Sequence, residues 1–437
     1  MPPASFSKIA YRSIAASAAS YTCSTSWHKK IPSSLPSETM PLESRPLGSS
    51  SEYHPELSQQ NGSVTERTST GNCTRSRSRT DHALSETSTI DSSDASDHRL
   101  KSEADHEGIS QTDYDDAFTD RGDVDFDDEG YVDLDTASTT SVNTVAENFQ
   151  QLFGRQYHNE DIGYHWEPND ETRQQMWDGF HHIYSDLLEG LNKATIPCGS
   201  PRVLDVGTGT GIWAIDFADE HPDADVIGID ISPIMPNWVP PNLKFQIDDC
   251  GREWTFKESS FDYIHARDLN GSVNWREFTK EVFRALAPGG VAEFHEGPIE
   301  FRSRKVTLAK ESYMNRWGGF FRAAREKRRR PFLVANNETL QQEMAAAGFK
   351  DITAYEYEIP IGPWPESEEG KRLGKFALAI LTWDIVGSIL RLAIEDFGWS
   401  EKETHVFAAR VRNEILSCSK EYEIYTPRKV VVGKKPE

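Results

Sequence analysis

The run Val203-Leu204-Asp205-Val206-Gly207-Thr208-Gly209-Thr210-Gly211 decides the fold of this 437-residue chain. It begins with a short apolar stretch, which is typical of a strand buried on both faces of a parallel sheet. Glycines at alternate positions follow, and residues 212–220 then have helical spacing up to His221 and Pro222. The next apolar run, 226–230, completes a predicted strand, glycine-rich turn, helix and parallel strand.

The alternation of strands and helices continues through the rest of the chain. Further strands are predicted at residues 243–247, 261–265, 291–296, 352–359 and about 429–432. Helices are predicted from Asn169 or Asp170, at about 274–287 before a turn at 288–290, ending at Gly348, and at about 367–395 and 401–418. This pattern predicts an α/β fold with a doubly wound, mostly parallel sheet and helices on both faces.

Residues 1–144 differ from the rest in composition, because Ser, Thr, Asp and Glu dominate and large apolar residues are few. We predict a disordered tail over 1–144 and one domain over 145–437, with its core at about 200–300 and a C-terminal helical insertion at about 367–418. The net charge is −23, and residues 113–135 form an acidic block. That block is interpreted as a solvated segment, or alternatively as a docking tail for a basic partner. Direct nucleic-acid binding is not predicted, since it normally requires a basic face.

Three features of the sequence bear on a membrane span or a metal site. The apolar stretch 376–394 is nearly long enough to span a bilayer, but Asp384 and Arg391 interrupt it, so we predict a buried helix and no membrane span. The 5 cysteines are scattered without a C-x-x-C pair. The adjacent His181 and His182 point in different directions on a helix. No metal site is therefore predicted.

Two segments bear on localisation, and each has more than one interpretation. Residues 1–32 have the composition of a mitochondrial transit peptide, which a Ser-rich disordered start shares. The basic run 325–330 is compatible with a nuclear localisation signal, a patch for an acidic partner or a solvated helix end. We expect the nucleus or the cytoplasm, with mitochondria as the lesser alternative.

The glycine loop does not match the common phosphate-binding fingerprints. A dinucleotide site would need a third glycine where Ile212 stands, and no P-loop lysine follows. Asp230, at the tip of the second strand, is placed to accept from a ribose diol. Asp249 at the end of the third strand can accept from an adenine amino group, with the Cys250 backbone beside it. These positions together indicate a site for adenosine attached to an unphosphorylated group, as in S-adenosylmethionine.

The chain resembles the Class I S-adenosylmethionine-dependent methyltransferases. Their motifs are matched, in order, by residues 205–211, 229–230, 248–249, 261–267 and 286–290. The flanks resemble the LaeA-like methyltransferases of filamentous fungi, several of which regulate secondary metabolism and development. The flanking matches are residues 155–158, 168–171, 181–182, 293–296, 360–365, 397–400 and 433–436.

The resemblance implies a Rossmann-like, seven-stranded methyltransferase sheet and S-adenosylmethionine as cofactor. It implies that Gly207, Gly209 and Gly211 surround the methionyl part, that Asp230 binds the ribose and that Asp249 binds the adenine. Asp205, Cys250 and Arg267 complete the candidate cofactor set.

Three residues at strand carboxyl ends are candidates for catalysis: His265, His295 and Glu296. A base is needed only if the nucleophile must lose a proton, and packing in the core is the alternative role for each histidine. The acceptor is expected to be a protein or a small molecule. The alternative function is a regulatory scaffold that binds S-adenosylmethionine and acts through a protein complex.

Overall fold

The computed structural model describes residues 148–437. The predicted disordered tail, the acidic block and the N-terminal basic segment lie outside these residues. The strands are β1 (Gln150–Leu152), β2 (Arg155–Tyr157), β3 (Arg202–Val206), β4 (Asp225–Asp230), β5 (Leu243–Ile247), β6 (Phe261–Arg267), β7 (Leu286–Glu296), β8 (Arg302–Ser303), β9 (Lys350–Pro360) and β10 (Ile424–Lys434). The helices are α1 (Glu171–Leu188), α2 (Ile212–Glu220), α3 (Trp275–Ala285), α4 (Tyr313–Arg328), α5 (Thr339–Ala347), α6 (Glu368–Trp383), α7 (Leu390–Phe397) and α8 (Glu401–Cys418).

The main sheet of the described part has eight strands in the order β5-β4-β3-β6-β7-β10-β8, with β9 also paired to β10. Strands β3 to β7 pair in parallel, and β10 runs antiparallel to β7, β8 and β9. The predicted α/β class with a mostly parallel sheet is therefore confirmed. The strand number exceeds the expected seven because the two-residue β8 also pairs with β10.

Helices cover both faces of the parallel part. Trp213 and Phe217 of α2 pack against Val203, Val226 and Tyr263 on one face. On the other face, α3 and α5 pack against Leu204, Ile264 and Phe294, with Trp275, Phe278 and Met344 in the contact. The strand order reverses at β3 and β6, and their carboxyl ends form the edge where sheets of this class bind ligands.

The structure differs from the sequence prediction in the helical layer. The single helix predicted for about 367–395 is wrong, because α6 ends at Trp383 and α7 starts at Leu390. Asp384 caps the end of α6, and its carboxylate accepts from the N–H of Gly387 at 3.2 Å. Helix α4 was not predicted, since the weak helix formers Gly318 and Gly319 lie at its centre. The three-residue strands β1 and β2 are too short to leave a periodic signal.

Buried ion pairs join the helical layer to the segment before α1. The Arg155 guanidinium donates to Asp170 at 2.5 and 2.8 Å and to Asp384 at 2.9 Å. Arg173 of α1 is completely buried and pairs with Asp384 at 3.0 Å and with Glu167 at 3.1 Å. Because buried charges are tolerated only when they are paired, these contacts fix residues 155–173 against the end of α6.

No helix within residues 148–437 is both long and apolar enough to cross a membrane. Asp384 and Arg391, which interrupt the apolar stretch, are 5 % and 3 % exposed inside the domain. Within the same residues, no three His, Cys, Asp or Glu side chains are grouped so that they could hold a metal ion.

Candidate functional site

A cavity lies at the carboxyl ends of the parallel strands. Its sheet side is formed by residues 207–210, 230–232, 248–250 and 267–270. Its opposite side is formed by residues 164–167 and by side chains of α1, α4 and α6. The polar strand ends predicted from the sequence are thus brought together under a helical cover.

The three glycines of the loop after β3 have different roles. All three have positive φ, at +69°, +59° and +81° for Gly207, Gly209 and Gly211. A Cβ added at Gly207 would lie 2.5 Å from Leu269, and one at Gly211 would lie 2.3 Å from Phe245. At Gly209 the nearest atom would be 4.0 Å away, on Trp177. Gly209 is therefore the glycine that presents bare backbone to the cavity, whereas Gly211 does not line it.

Asp230 is anchored by the backbone on both sides of its carboxylate. One oxygen accepts from the Gly209 N–H at 2.8 Å and the other from the Ser232 N–H at 2.9 Å. Burial raises the pKa of Asp230 above its ordinary value, and the two N–H donors oppose that shift. Each oxygen retains a further lone pair, so the fixed carboxylate can still accept two hydroxyl groups from a ligand in the cavity.

The loop after β5 supplies Asp248, Asp249 and Cys250 to the same cavity. Asp249 accepts from the Gly251 N–H at 2.8 Å and pairs with Arg252 at 3.1 Å. A Cβ at Gly163 would lie 3.0 Å from the Asp249 carboxyl carbon. The segment before α1 therefore closes directly over the predicted adenine side.

Glu167 is a carboxylate in the cavity wall that was not predicted from the sequence. Its oxygens accept from Arg173 at 3.1 Å and from the Trp177 indole N–H at 3.2 Å. Burial acts to raise the pKa of Glu167, but Arg173 and His165 outweigh it and lower the pKa to about 2. Glu167 is therefore an ionised group of the cavity wall, and it is linked through Trp177 to the side of Gly209. Its one sequence signal was its place directly before Pro168 and the cap of α1.

Arg267, at the end of β6, lines the cavity as predicted for a cofactor residue. Its guanidinium lies 3.3 Å from His181 Nδ1 and 5.2 Å from the centre of the Tyr184 ring. The Tyr184 hydroxyl in turn donates to Asp268 at 3.2 Å. Arg267 is thus a cation held by an aromatic ring at the cavity surface.

Asp205 and the three candidate catalytic residues do not line this cavity. His265 is completely buried, stacks on Trp213 with the ring centres 3.8 Å apart, and lies 2.7 Å from an Asp205 oxygen through Nδ1. The other Asp205 oxygen accepts from the Thr208 hydroxyl at 2.6 Å. Burial and His295 hold the pKa of His265 well below its ordinary value. Asp205 thereby joins β6 to the glycine loop on the side away from the cavity.

His295 and Glu296 are also completely buried. His295 Nε2 lies 2.6 Å from Glu293, whose two oxygens also accept from the N–H groups of Lys193 and Ala194. Glu296 accepts from the Leu269 N–H at 2.7 Å. Burial and Asp268 raise the pKa of Glu296 well above its ordinary value. Glu296 therefore holds the loop after β6, which does line the cavity.

We expect His265→Ala to leave affinity for S-adenosylhomocysteine within about threefold of the wild type, which is under roughly 0.7 kcal/mol. The side chain lies behind the cavity wall, so its loss lowers the free energy of unfolding by opening space beside Trp213. Calorimetric titration and urea unfolding measure the two effects separately. A tenfold loss of affinity in a folded variant would contradict this expectation and show that donor binding depends on His265, either directly or through Asp205 and the glycine loop.

The basic run 325–330 is partly engaged inside the domain. Arg328 contacts the Tyr164 hydroxyl and Asp396, and Arg330 donates to the Ser272 carbonyl. Arg325, Lys327 and Arg329 remain exposed. Arg328 and Arg330 thus contact other parts of the domain. The three exposed side chains remain compatible with a nuclear localisation signal, a patch for an acidic partner or a solvated helix end.

Comparison with known proteins agrees with the motifs. A family model described as "Methyltransferase domain" matches residues 173–354. The methyltransferase pytC of Aspergillus terreus is 32 % identical over 283 residues, which cover 64 % of this chain and 86 % of that protein. The secondary metabolism regulator LAE1 of Cochliobolus heterostrophus is 32 % identical over 293 residues, covering 65 % and 94 %. The protein-methionine methyltransferase laeA of Emericella nidulans is 29 % identical over 301 residues, covering 68 % and 79 %. The chain therefore belongs to the LaeA-like family of methyltransferases, as its motifs predicted.

Proposed function

We propose that the chain transfers a methyl group from S-adenosylmethionine to an acceptor bound in the same cavity. The observation that carries the proposal is the fixed Asp230 carboxylate beside the bare backbone of Gly209. This pair suits a ribose diol joined to a group that lies against backbone. The P-loop lysine and the dinucleotide glycine spacing are both missing from the sequence, which favours an unphosphorylated donor.

The cavity residues can be assigned to the parts of this donor. Asp230 takes the ribose hydroxyls, and Asp249 with the Cys250 backbone takes the adenine. Gly209 faces the methionyl chain. Ionised Glu167 suits the methionyl ammonium group, and Arg267 suits its carboxylate, because each offers the opposite charge at the cavity surface. When bound, S-adenosylmethionine supplies the electrophilic methyl group.

The protein's contribution to such a displacement is mainly placement, because the acceptor must approach the methyl carbon in line with the departing sulfur. Residues 158–167 support this role because His158 and residues 164–167 line the cavity on the side opposite the sheet. His158 lies 3.0 Å from both the Gly163 carbonyl and the His165 N–H, and Trp166 donates to the Ser388 carbonyl at 3.2 Å. These contacts hold residues 158–165 together and join Trp166 to the segment that follows α6.

In this proposal Glu296, His265 and His295 act on the cavity wall and not on the acceptor. Glu296 positions residues 269–270, and His265 with Asp205 supports the glycine loop. An acceptor whose attacking atom is already deprotonated, or is a thioether, needs no base. Their assignment as proton-transfer groups stays a prediction of the sequence.

The family relation suggests a biological setting. Relatives are named as secondary metabolism regulators, a protein-methionine methyltransferase and a methyltransferase. We place this chain in the control or the chemistry of fungal secondary metabolism, in the nucleus or the cytoplasm. The exposed basic side chains 325, 327 and 329 support the nuclear part of this proposal.

A labelling experiment separates the enzyme from the alternative of a scaffold. The full chain is incubated with methyl-tritiated S-adenosylmethionine and an extract of the organism that contains it. The extract is first separated into a protein fraction and a small-molecule fraction. We expect label in one fraction, and at least tenfold less with Asp230→Ala at subsaturating donor. Donor binding without label in either fraction would favour the scaffold.

A further inference from the structure

The cavity contains polar groups that the donor assignment does not use. Thr426 and Arg428 lie two positions apart on β10, so their side chains share one face of the strand, and both line the cavity. The Thr426 side chain is 4 % exposed, and its hydroxyl has no hydrogen-bond partner within residues 148–437. The Arg428 Nε is likewise buried and unpaired there. Buried polar groups are normally satisfied, so both await a partner in the cavity.

Arg428 also has no carboxylate within ion-pair distance in the described part of the chain. Its guanidinium donates to the Pro427 carbonyl at 3.0 Å and lies near the rings of Phe180 and Tyr184, at 5.8 and 5.9 Å. No carboxylate of residues 148–437 forms an ion pair with it. Two of the acids in the cavity are engaged elsewhere, since Asp268 accepts from Tyr184 and Glu300 pairs with Arg302 at 2.8 Å. Glu296 does interact with the Arg428 charge, but burial and Asp268 still hold its pKa well above the ordinary value, which favours the uncharged form. A cation of this kind favours an anionic ligand.

The cavity that Arg428 lines also has an apolar wall. Three helices, the loop after β7 and the turn after α6 contribute the lining side chains Phe180, Ile299, Phe301, Trp317, Leu381 and Ile385. Such a wall accommodates an aromatic or aliphatic body, while the few polar groups fix its orientation. The combination describes a site for an apolar molecule with one acidic group.

We propose that this part of the cavity binds the methyl acceptor, and that the acceptor is a small aromatic or apolar molecule carrying a carboxylate or another acidic oxygen. Arg428 would bind the acidic group with Thr426 as a second donor, and the apolar side chains would hold the body. The inference rests on the proposed function, because the donor occupies the glycine-loop side. A methionine side chain of a protein, the competing acceptor, would bring no charge for Arg428.

Matched probes test the inference on the full chain saturated with S-adenosylhomocysteine. Calorimetry compares 2-naphthoate with 2-naphthamide, which share the ring system and differ in charge. We expect the acid to bind at least about tenfold more tightly, as a charged hydrogen-bonded pair provides. Arg428→Gln should remove this preference, and Thr426→Val should reduce it. Arg276→Gln, on an exposed arginine of α3, is the control and should keep it.

The outcomes are distinguishable. If S-adenosylhomocysteine does not bind, the proposed function and this inference both fail. If it binds and wild-type chain shows no preference for the acid, only the inference fails, and that result does not depend on any variant folding. If Arg428→Gln weakens S-adenosylhomocysteine instead of the acid, Arg428 belongs to the donor site and the inference is overturned.

Discussion

Replacing Asp230 by alanine is expected to weaken S-adenosylmethionine binding about tenfold to a hundredfold. The carboxylate is fixed by the N–H groups of Gly209 and Ser232, so it presents its free lone pairs to the cavity without reorganisation. Hydrogen bonds to a charged group contribute roughly 1.5–3 kcal/mol, and about 1.4 kcal/mol corresponds to tenfold in affinity. Calorimetric titration with S-adenosylmethionine measures the loss.

Asp225 provides the matched control, because it begins the same strand at the opposite end and is exposed. Asp225→Ala should bind like the wild type. The circular dichroism spectra of both variants should be unchanged. If Asp230→Ala also binds like the wild type, the carboxylate is only a cap for the end of β4 and the ribose site lies elsewhere.

Replacing Gly209 by valine is expected to reduce donor affinity by about a hundredfold or more, which corresponds to at least roughly 2.7 kcal/mol. A side chain at this position would enter open space on the cavity side, where its nearest neighbour is 4.0 Å away. The new methyl groups would therefore meet the ligand and not the protein. Competition calorimetry would measure such a loss of affinity. Displacement of a fluorescent adenosine analogue by the donor would measure it independently.

The valine at Gly209 also strains the backbone, since φ is +59° there. Gly398→Val controls for that strain, because Gly398 has φ +69° with nothing within 4 Å of an added Cβ and lies outside the cavity. Both variants should lose stability in urea unfolding, and only Gly209→Val should lose the donor. Equal donor affinity in the two variants would contradict the position assigned to the methionyl chain.

The parallel core could be predicted from the sequence because its signals are local. The helix at 212–220 and the strand at 243–247 agree with α2 and β5, since each has a clear apolar pattern and Pro222 follows the helix. Asp230 is the last residue of β4 and Asp249 lies two residues after β5, so the common edge of a parallel sheet brings them together. Order along the chain was sufficient for these two.

Other parts of the site depend on contacts distant in sequence. His265 and His295 lie in the predicted strands, although β6 continues two residues further, to Arg267. Their surroundings are set by Trp213, Tyr184 and Glu293, which are distant from at least one of them in sequence. Both faces of a central parallel strand are covered, so alternation does not tell which side chain reaches a ligand. Glu167 lines the cavity because ion pairs fold residues 155–173 onto the end of α6. No local pattern contains that information.

Calorimetric titration of the full chain with S-adenosylmethionine, S-adenosylhomocysteine and NAD tests the central claim most directly. We expect the first two to bind, since the cavity offers a ribose acceptor and bare backbone at Gly209. We expect no comparable binding of NAD, whose pyrophosphate would need the glycine spacing that Ile212 interrupts. Tight binding of NAD, or no binding of any of the three, would contradict the donor assignment.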